Sequence, residues 1–148
     1  MSIFSSFNIN SSGLTAQRYR MDIISQNLAN ANTTRTEDGT PYRRKVVTFA
    51  EKNSQTSFSR VLNEATDRYS GTGVKVNGVY EDTWNEMIQT YDPSHPDADE
   101  NGYVWYPNVN TVAEMTDLID ASRAYEANAT AFTASKAMAL KGLEMGKA

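Results

Sequence analysis

The sequence contains no cysteine and a single histidine, His95, among its 148 residues. The lack of thiols excludes disulfides, thiolate metal sites and cysteine nucleophiles together. One imidazole is too few for metal sites built on two or three histidines. His95 also has no Gly-x-Ser-x-Gly elbow or comparable context around it, so a Ser-His-Asp mechanism has no support. We therefore predict a protein that is not an enzyme and that uses no metal and no cofactor.

Long apolar runs are also missing. No stretch approaches the roughly 20 apolar residues of a membrane span, and the start MSIFSSFNIN has neither the basic region nor the apolar run of a signal peptide. Hydrophobic residues make up 39% of the chain, below the usual share of about 45–50%. We expect an elongated molecule with a modest core and no membrane insertion. If the protein leaves the cytoplasm, we expect it to do so without cleavage of a signal peptide.

Basic residues are absent from one long segment. Residues 81–120 hold ten acids and no Lys or Arg, whereas residues 1–50 hold six Lys or Arg against three acids. Opposite charges of this kind can attract neighbouring subunits, although two unevenly charged solvated surfaces are an equal alternative. The only dense basic run, Arg43-Arg44-Lys45, lies beside acids in a chain of net charge −4, which argues against nucleic-acid binding.

The first thirty residues have the apolar spacing of a helix. A seven-residue repeat, typical of a coiled-coil seam, places apolar side chains at Ile3, Phe7, Leu14, Met21, Ile24 and Leu28. Residues 10–13, Asn-Ser-Ser-Gly, are a possible break into a short leading segment and a main helix. The Asn-rich stretch "NLANANTT" predicts the helix end.

The last forty residues predict a second long helix. Thr111 and Glu114 have the spacing of a capping box, and Asp117 lies where the helix dipole favours an acid. A second stripe at steps of three and four runs through Met115, Leu118, Ser122, Tyr125, Ala129, Phe132, Lys136, Ala139 and Leu143. Eight alanines between positions 121 and 139 favour helix and allow close approach of a neighbouring helix.

Between the two helices the pattern changes to the period of two that is typical of strands. We predict strands over 42–50, 73–84 and 103–106. The predicted fold is therefore α+β, with the terminal helices, residues 1–34 and 108–148, paired as an antiparallel coiled-coil-like domain around a small β-rich insertion, residues 35–107. An insertion this small cannot cover both helical stripes, so we expect them to pair with each other and with other chains.

The acidic loop before the last predicted strand partly matches a calcium-binding loop. Its positions 1, 3, 5 and 6 are Asp97, Asp99, Asn101 and Gly102. Position 12 is Asn108 instead of a bidentate acid, and the prolines of "YDPSHP" exclude a helix running into the loop. The alternative is a connector in which Pro93, Pro96 and Gly102 fix turns and the aspartates accept local hydrogen bonds.

Several stretches resemble a known family. "SGLTAQRYRMDIISQNLANANTTRT" (12–36) resembles the N-terminal helix of bacterial flagellar axial proteins, which form the rod, hook and filament joints. "GTPYRRKVVTF" (39–49), residues 92–132 and the terminal "ASKAMALKGLEMG" are similar to proximal-rod members of that family. Residues 51–72 show no feature that matches, and their role stays open.

This resemblance implies a structural subunit of the flagellar proximal rod, in the periplasmic part of the basal body. It implies terminal helices that form the inner domain of a tube, with the β-rich insertion outside. It further implies unfolded export through the flagellar type III apparatus without signal cleavage. The implied partners are other copies of the chain, other rod subunits, the rod-base adapter at the inner-membrane ring and, transiently, the export apparatus.

The candidate assembly residues follow from the stripes and the charges. The seam positions are Phe7, Leu14, Met21, Ile24 and Leu28 in the first helix and Met115, Leu118, Tyr125, Phe132 and Leu143 in the second. The positions expected to set subunit register are Arg123, Tyr125, Glu126 and Asn128, with a solvated helix face as the alternative. The loop and its basic partners, expected to contact neighbours, are Arg43, Arg44, His95, Asp97 and Asp99.

Three alternatives remain open on the sequence alone. The first is another proximal-rod subunit of the same family. The second is a calcium-responsive binding module that uses residues 97–108. The third is an enzyme for cell-wall penetration, which would require a cleft with perturbed carboxylates.

Overall fold

The computed structural model describes residues 3–52, 62 and 72–146, with side chains from Ser5 onward. Its long helices are α1, Ile3–Ala29, and α2, Thr111–Met145. Its strands are β1, Lys45–Glu51, β2, Val74–Glu81, β3, Ile88–Tyr91, and β4, Tyr103–Tyr106. The predicted α+β plan, two terminal helices with a small strand-containing insertion, is confirmed. None of the helices in these ranges is long and apolar enough to cross a membrane.

Helix α1 is continuous across residues 10–13, so the predicted break is wrong. The Ser12 hydroxyl donates to the Ile9 carbonyl (2.7 Å), and the Thr15 hydroxyl donates to the Ser11 carbonyl (3.0 Å). These hydroxyls are satisfied within the helix, so polar residues do not end it. The helix ends where the Asn-rich stretch predicts, and the Asn30 N–H still donates to the Gln26 carbonyl.

Helix α2 begins at the predicted residue but with a different cap. The Asn110 side-chain carbonyl accepts hydrogen bonds from the N–H groups of Val112 (3.0 Å) and Ala113 (3.2 Å). Asn is among the best N-cap residues because its side chain satisfies these otherwise unpaired donors. The predicted capping box is therefore wrong: Asn110 caps the helix instead of Thr111, and Glu114 bonds elsewhere.

The strands form two two-stranded sheets, β1 with β2 and β3 with β4. Strands β1 and β2 are antiparallel, because the Lys52 N–H donates to the Gly73 carbonyl and the Asp82 N–H donates to the Arg44 carbonyl. The β3–β4 hairpin pairs Ile88 with Tyr106, Gln89 with Trp105, Thr90 with Val104 and Tyr91 with Tyr103. Strand β3 was not predicted, since all four of its residues are exposed and show no apolar alternation.

The chain divides into two compact units. The first unit contains the described residues 3–18, 49–52, 62, 72–77 and 122–146, and the second contains Tyr19–Thr48 and Gly78–Ala121. Within the first unit, Phe7 of α1 contacts Phe132 of α2. Within the second, Asn27 of α1 bonds Glu114 near the start of α2. The contact of the earlier α1 residue is with the later α2 residue, and the contact of the later α1 residue is with the earlier α2 residue. The two helices are therefore antiparallel, as predicted.

Candidate assembly site

A buried polar cluster lies in the second unit, formed by Asn27, Tyr42, Arg44, Asp82 and Glu114. Asn27 is 1% exposed. Its amide group donates to the Lys45 carbonyl (2.8 Å) and to Glu114 Oε2 (3.0 Å). Its side-chain carbonyl accepts from the Lys45 N–H (2.9 Å) and the Tyr42 hydroxyl (2.9 Å). An amide has two donors and two lone pairs, so Asn27 uses its full hydrogen-bonding capacity inside the chain.

Arg44 carries the positive charge of this cluster. Its Nε donates to Glu114 Oε1 at 2.6 Å, and its Nη1 is 3.7 Å from Asp82 Oδ2. Its Nη2 is 3.6 Å from Asp117, which also pairs with Arg20 at 3.3 Å. The Glu114 carboxylate is 1% exposed, and a buried carboxylate is tolerated only when it is paired and hydrogen-bonded. Both of its oxygens are engaged, one by Arg44 and one by Asn27.

Tyr42 completes the cluster as a neutral donor. Its side chain is buried, and burial raises the pKa of its phenol, with smaller contributions from the negative charges of Glu114 and Glu81. The phenol therefore stays protonated throughout the physiological pH range, and its hydroxyl donates a hydrogen bond to Asn27.

The turn after β2 is held by Asp82. Its carboxylate accepts from the backbone N–H groups of Trp84 (3.1 Å) and Asn85 (3.2 Å) and from the Asn85 side chain (2.7 Å). The Asn85 side-chain bond chiefly lowers the pKa of Asp82, and the two N–H groups and Arg44 lower it further. The Asn108 side chain donates to the carbonyls of Asp82 (2.9 Å) and Asn85 (3.1 Å), which closes the turn from the other side.

The acidic loop connects β3 to β4 through bonds within its own unit. Asp99 Oδ1 accepts from the N–H groups of Asn101 and Tyr103, each at 2.9 Å. Asp97 accepts from the Thr34 hydroxyl at 2.8 Å and lies 3.6 Å from an Arg35 nitrogen. Gly102 has a positive φ of 81°, which the turn requires and glycine adopts readily.

Nothing in the described contacts of the loop favours the calcium-binding alternative. His95 Nδ1 accepts the Asp97 N–H (3.1 Å), and Asp92 accepts from the N–H and hydroxyl of Ser94. The Ser94 hydroxyl chiefly lowers the pKa of Asp92. Asn108, at position 12, instead accepts the Arg44 N–H with its side-chain carbonyl. Within the described ranges, no three acidic or histidine side chains are grouped to hold a metal ion. The loop therefore has the contacts of a connector.

The first unit has a different contact between the helices. The rings of Phe7 and Phe132 meet edge to face, with centroids 5.0 Å apart. At Gly13, a Cβ atom would lie 2.7 Å from Asn128 Oδ1, so a larger residue there would require the Asn128 side chain to move. The Ser12 hydroxyl oxygen accepts the Val74 N–H at 3.1 Å and joins α1 to the start of β2.

The predicted seam residues differ in exposure between the two helices. On α1, Ile24 is buried and Phe7, Leu14, Met21 and Leu28 are half-buried. On α2, Leu118 and Phe132 are half-buried, whereas Met115, Tyr125 and Leu143 are exposed. Their contacts with other chains stay predictions.

The remaining predicted residues are distributed between the units. Arg44 lies in the buried polar cluster, and Asp97 pairs with Arg35. Asn128 lies against Gly13 of the same chain. The other members divide by exposure: Arg43 and His95 are half-buried, and Asp99, Arg123 and Glu126 are exposed. Neighbour contacts for all of these stay predictions.

Sequence reasoning placed Met115 in the second seam but missed two exposed features, namely Val112 and Ile119 beside Met115, and Trp84. Val112, Met115 and Ile119 are all exposed and lie three and four residues apart, so they form one apolar stripe along the start of α2. Trp84 is 94% exposed at the tip of the Asp82 turn. The stripe could have been found from its helical spacing, and the tryptophan from its position among polar residues in "EDTWNE".

Known protein families match both ends of the chain. The model described as "Flagella basal body rod protein" matches residues 7–35, and that described as "Flagellar basal body rod FlgEFG protein C-terminal" matches residues 100–145. These matches cover most of α1 and all of α2. They define the class as the flagellar rod proteins.

Curated relatives narrow this class. The flagellar basal-body rod protein FlgC of Bacillus subtilis is 46% identical, with 99% of this chain and 100% of the relative aligned. FlgC of Borreliella burgdorferi is 48% identical over 93% of each chain. FlgC of Salmonella typhimurium is 39% identical over 99% of this chain and 100% of the relative. The chain belongs to the FlgC family of flagellar basal-body rod proteins.

Proposed function

We propose that this chain is a structural subunit of the proximal rod of the bacterial flagellar basal body and performs no catalysis. The observation that carries this proposal is the identity of 39–48% to FlgC proteins along almost the full length of both chains. The structure is compatible with this role, because its conspicuous polar cluster has its hydrogen-bonding groups engaged internally, which suits a scaffold.

The exposed stripe of α2 supports an assembling role. Val112, Met115 and Ile119 leave a continuous apolar surface on one helix face. Apolar stripes on helices are normally covered, and an exposed one marks an interaction surface. We propose that a neighbouring subunit covers this stripe in the rod, together with the seam residues Tyr125 and Leu143.

We further propose an inner domain formed by residues 1–34 and 108–148 and an outer insertion formed by residues 35–107. This division is supported by the overlap of the proposed inner domain with the ranges that match flagellar rod families, residues 7–35 and 100–145. The partners are other copies of the chain, other rod subunits and the rod-base adapter at the inner-membrane ring.

The route to the rod is export as an unfolded chain through the flagellar type III apparatus, without a cleaved signal, into the periplasmic part of the basal body. The lack of cysteine supports this route, because an unfolded chain without thiols cannot form misplaced disulfides. Exposed helical stripes support it as well, because such helices gain stability when partners cover them.

Replacement of the native copy in a flagellated cell tests the proposal. The unsubstituted chain should restore swimming and should be present in purified basal bodies. Ile119→Lys should prevent rod formation, since it places a charge in the apolar stripe, whereas the neighbouring exposed position provides the control Asp120→Lys. Both purified variants should keep the helix content of the parent by circular dichroism. Basal bodies that form without this chain would contradict the proposal.

A further inference from the structure

Trp84 is presented by a rigid turn. Its side chain is 94% exposed, while the backbone on either side is fixed by bonds from Asp82 and Asn108. Tryptophan is the residue most enriched at the energetic centres of protein interfaces. A side chain on a preordered backbone loses little conformational entropy when it binds. Trp84 on this ordered turn is therefore suited to insert into the surface of a partner, and we call this side chain the anchor.

The charge around Trp84 restricts that partner. Glu81 and Glu86 are exposed on either side of the turn, and residues 81–120 contain no Lys or Arg. A surface that receives Trp84 needs a recess for the indole ring and a cationic group at its rim.

The same chain carries such a recess in its second unit. A cavity of about 270 Å³ opens between the segment after α1 and the acidic loop. Its charged lining residues are Arg35 and Asp97, and its apolar ones include Pro41, Pro96 and Trp105. The Arg35 side chain is 70% exposed and pairs only loosely with Asp97. The prolines and Trp105 provide apolar walls for an aromatic ring, and a guanidinium beside the indole face provides a cation–π contact.

We propose that Trp84 of one copy inserts into the Arg35-lined cavity of a second copy, with Glu86 beside the Arg35 guanidinium. Anchor and cavity are different surfaces of one chain, so the contact is head to tail and can repeat from copy to copy. Repetition of this kind produces rings or helical arrays. The inference rests on the proposed function, in which copies of the chain lie side by side in the rod.

Cysteine cross-linking tests this contact directly, because the natural chain has no thiol. Thr83 lies next to the anchor, and Asp38 precedes Gly39 in the cavity lining; both are exposed. A chain with Thr83→Cys and Asp38→Cys, assembled into basal bodies and treated with a short thiol cross-linker, should give a ladder of covalent dimers and larger multimers. Each single variant should remain monomeric, because a head-to-tail contact brings neither position next to its own copy.

The outcomes separate this inference from the proposed function. Basal bodies that contain the double variant but give no ladder, or cross-links from Thr83→Cys to a different protein, would overturn the contact and leave the rod assignment intact. Absence of even the unsubstituted chain from basal bodies would overturn the rod assignment itself.

Variants of the anchor and the rim give an independent measurement. In the double-cysteine background, Trp84→Ala should remove the ladder, and Tyr91→Ala, another exposed aromatic side chain, should keep it. Arg35→Glu and Glu86→Arg should each lower the ladder yield about tenfold because like charges then meet, and their combination should restore it. Equal yields from single and combined charge variants would contradict the proposed pairing.

Discussion

The two units stabilise the same pair of helices by different means. In the second unit, α1 and α2 are joined by the buried polar cluster, where Asn27 and Glu114 are almost fully buried. In the first unit, the helices meet through the Phe7–Phe132 ring contact and the close approach at Gly13. Buried polar bonds require one specific alignment, whereas ring and glycine contacts tolerate small shifts. We infer that the second unit fixes the alignment of the helices and the first adapts to its surroundings.

Removing the Glu114 carboxylate should have the largest effect. Glu114→Ala removes the carboxylate nearest to Arg44 and leaves one buried Asn27 donor without an acceptor. We expect a loss of about 3 kcal/mol in the free energy of unfolding. Chemical denaturation followed by circular dichroism measures this loss. Glu126→Ala, on an exposed site of α2 in the first unit, should change stability by less than about 0.5 kcal/mol. Equal effects at the two positions would remove the proposed difference between the units.

A glycine pair tests the first unit. Gly73 has a positive φ of 93°, and a Cβ there would lie 2.4 Å from the Ser12 hydroxyl oxygen. Gly73→Ala should therefore cost about 2 kcal/mol of stability. Gly142 lies within α2 with no atom near its missing Cβ, so Gly142→Ala should stabilise the helix by about 0.5–1 kcal/mol. Thermal melting of both variants checks the signs, and a stable Gly73→Ala protein would contradict the tight junction.

The N-terminal cap of α2 allows a direct comparison between the observed cap, Asn110, and the cap expected from the sequence, Thr111. Asn110→Ala should cost about 1 kcal/mol, because the N–H groups of Val112 and Ala113 lose their acceptor. Thr111→Ala should cost less than about 0.5 kcal/mol, since Thr111 is exposed and is not the observed cap. Urea titration of both variants decides between them, and the reverse order would restore the predicted capping box.

Lowering the pH should produce the smallest change in stability, and this change should come from Asp82 in the second unit. The pKa of Asp82 is lowered below its ordinary value of 3.8 by its hydrogen bonds. Its contribution to stability is therefore complete above that value and is lost as the pH falls through the lower folded-state pKa. Unfolding free energies measured between pH 5 and pH 2 should decline less steeply for Asp82→Asn than for the parent. Parallel curves would show that Asp82 contributes nothing to the acid response.

The helices could be predicted from the sequence because their signals are local and long. Periodic apolar positions and the Asn-rich stop placed α1, and strand β4 was placed by its aromatic and β-branched residues. The errors have a common cause in tertiary competition. Glu114 has the correct spacing for a capping box, but the half-buried Arg44 binds it more strongly than a backbone N–H does. No pattern along the chain reports that Arg44 lies seventy residues away in sequence and adjacent in space.

The candidate site was less predictable than the fold. Charge asymmetry marked the acidic loop as a candidate for contacts with neighbouring subunits, whereas the structure pairs Asp97 with Arg35 of the same chain. Exposure of Trp84 and of the Val112 stripe depends on the folded surface, which a periodic pattern alone does not give. The sequence indicates which residues are available for assembly, and the folded chain determines which of them remain uncovered.

The Asn27 side chain uses all of its hydrogen-bonding groups inside the chain, and this affects how the two helices resist a mechanical load. A load applied along the helix axes tends to slide α1 along α2. A slip of one helical turn, about 5.4 Å, between α1 and α2 would break the Asn27–Glu114 hydrogen bond. It would also break either the three Asn27 bonds to Tyr42 and Lys45 or the Arg44–Glu114 pair, depending on which helix residues 42–45 follow. The buried polar cluster therefore resists sliding of α1 along α2, because either way of sliding breaks several of its hydrogen bonds at once.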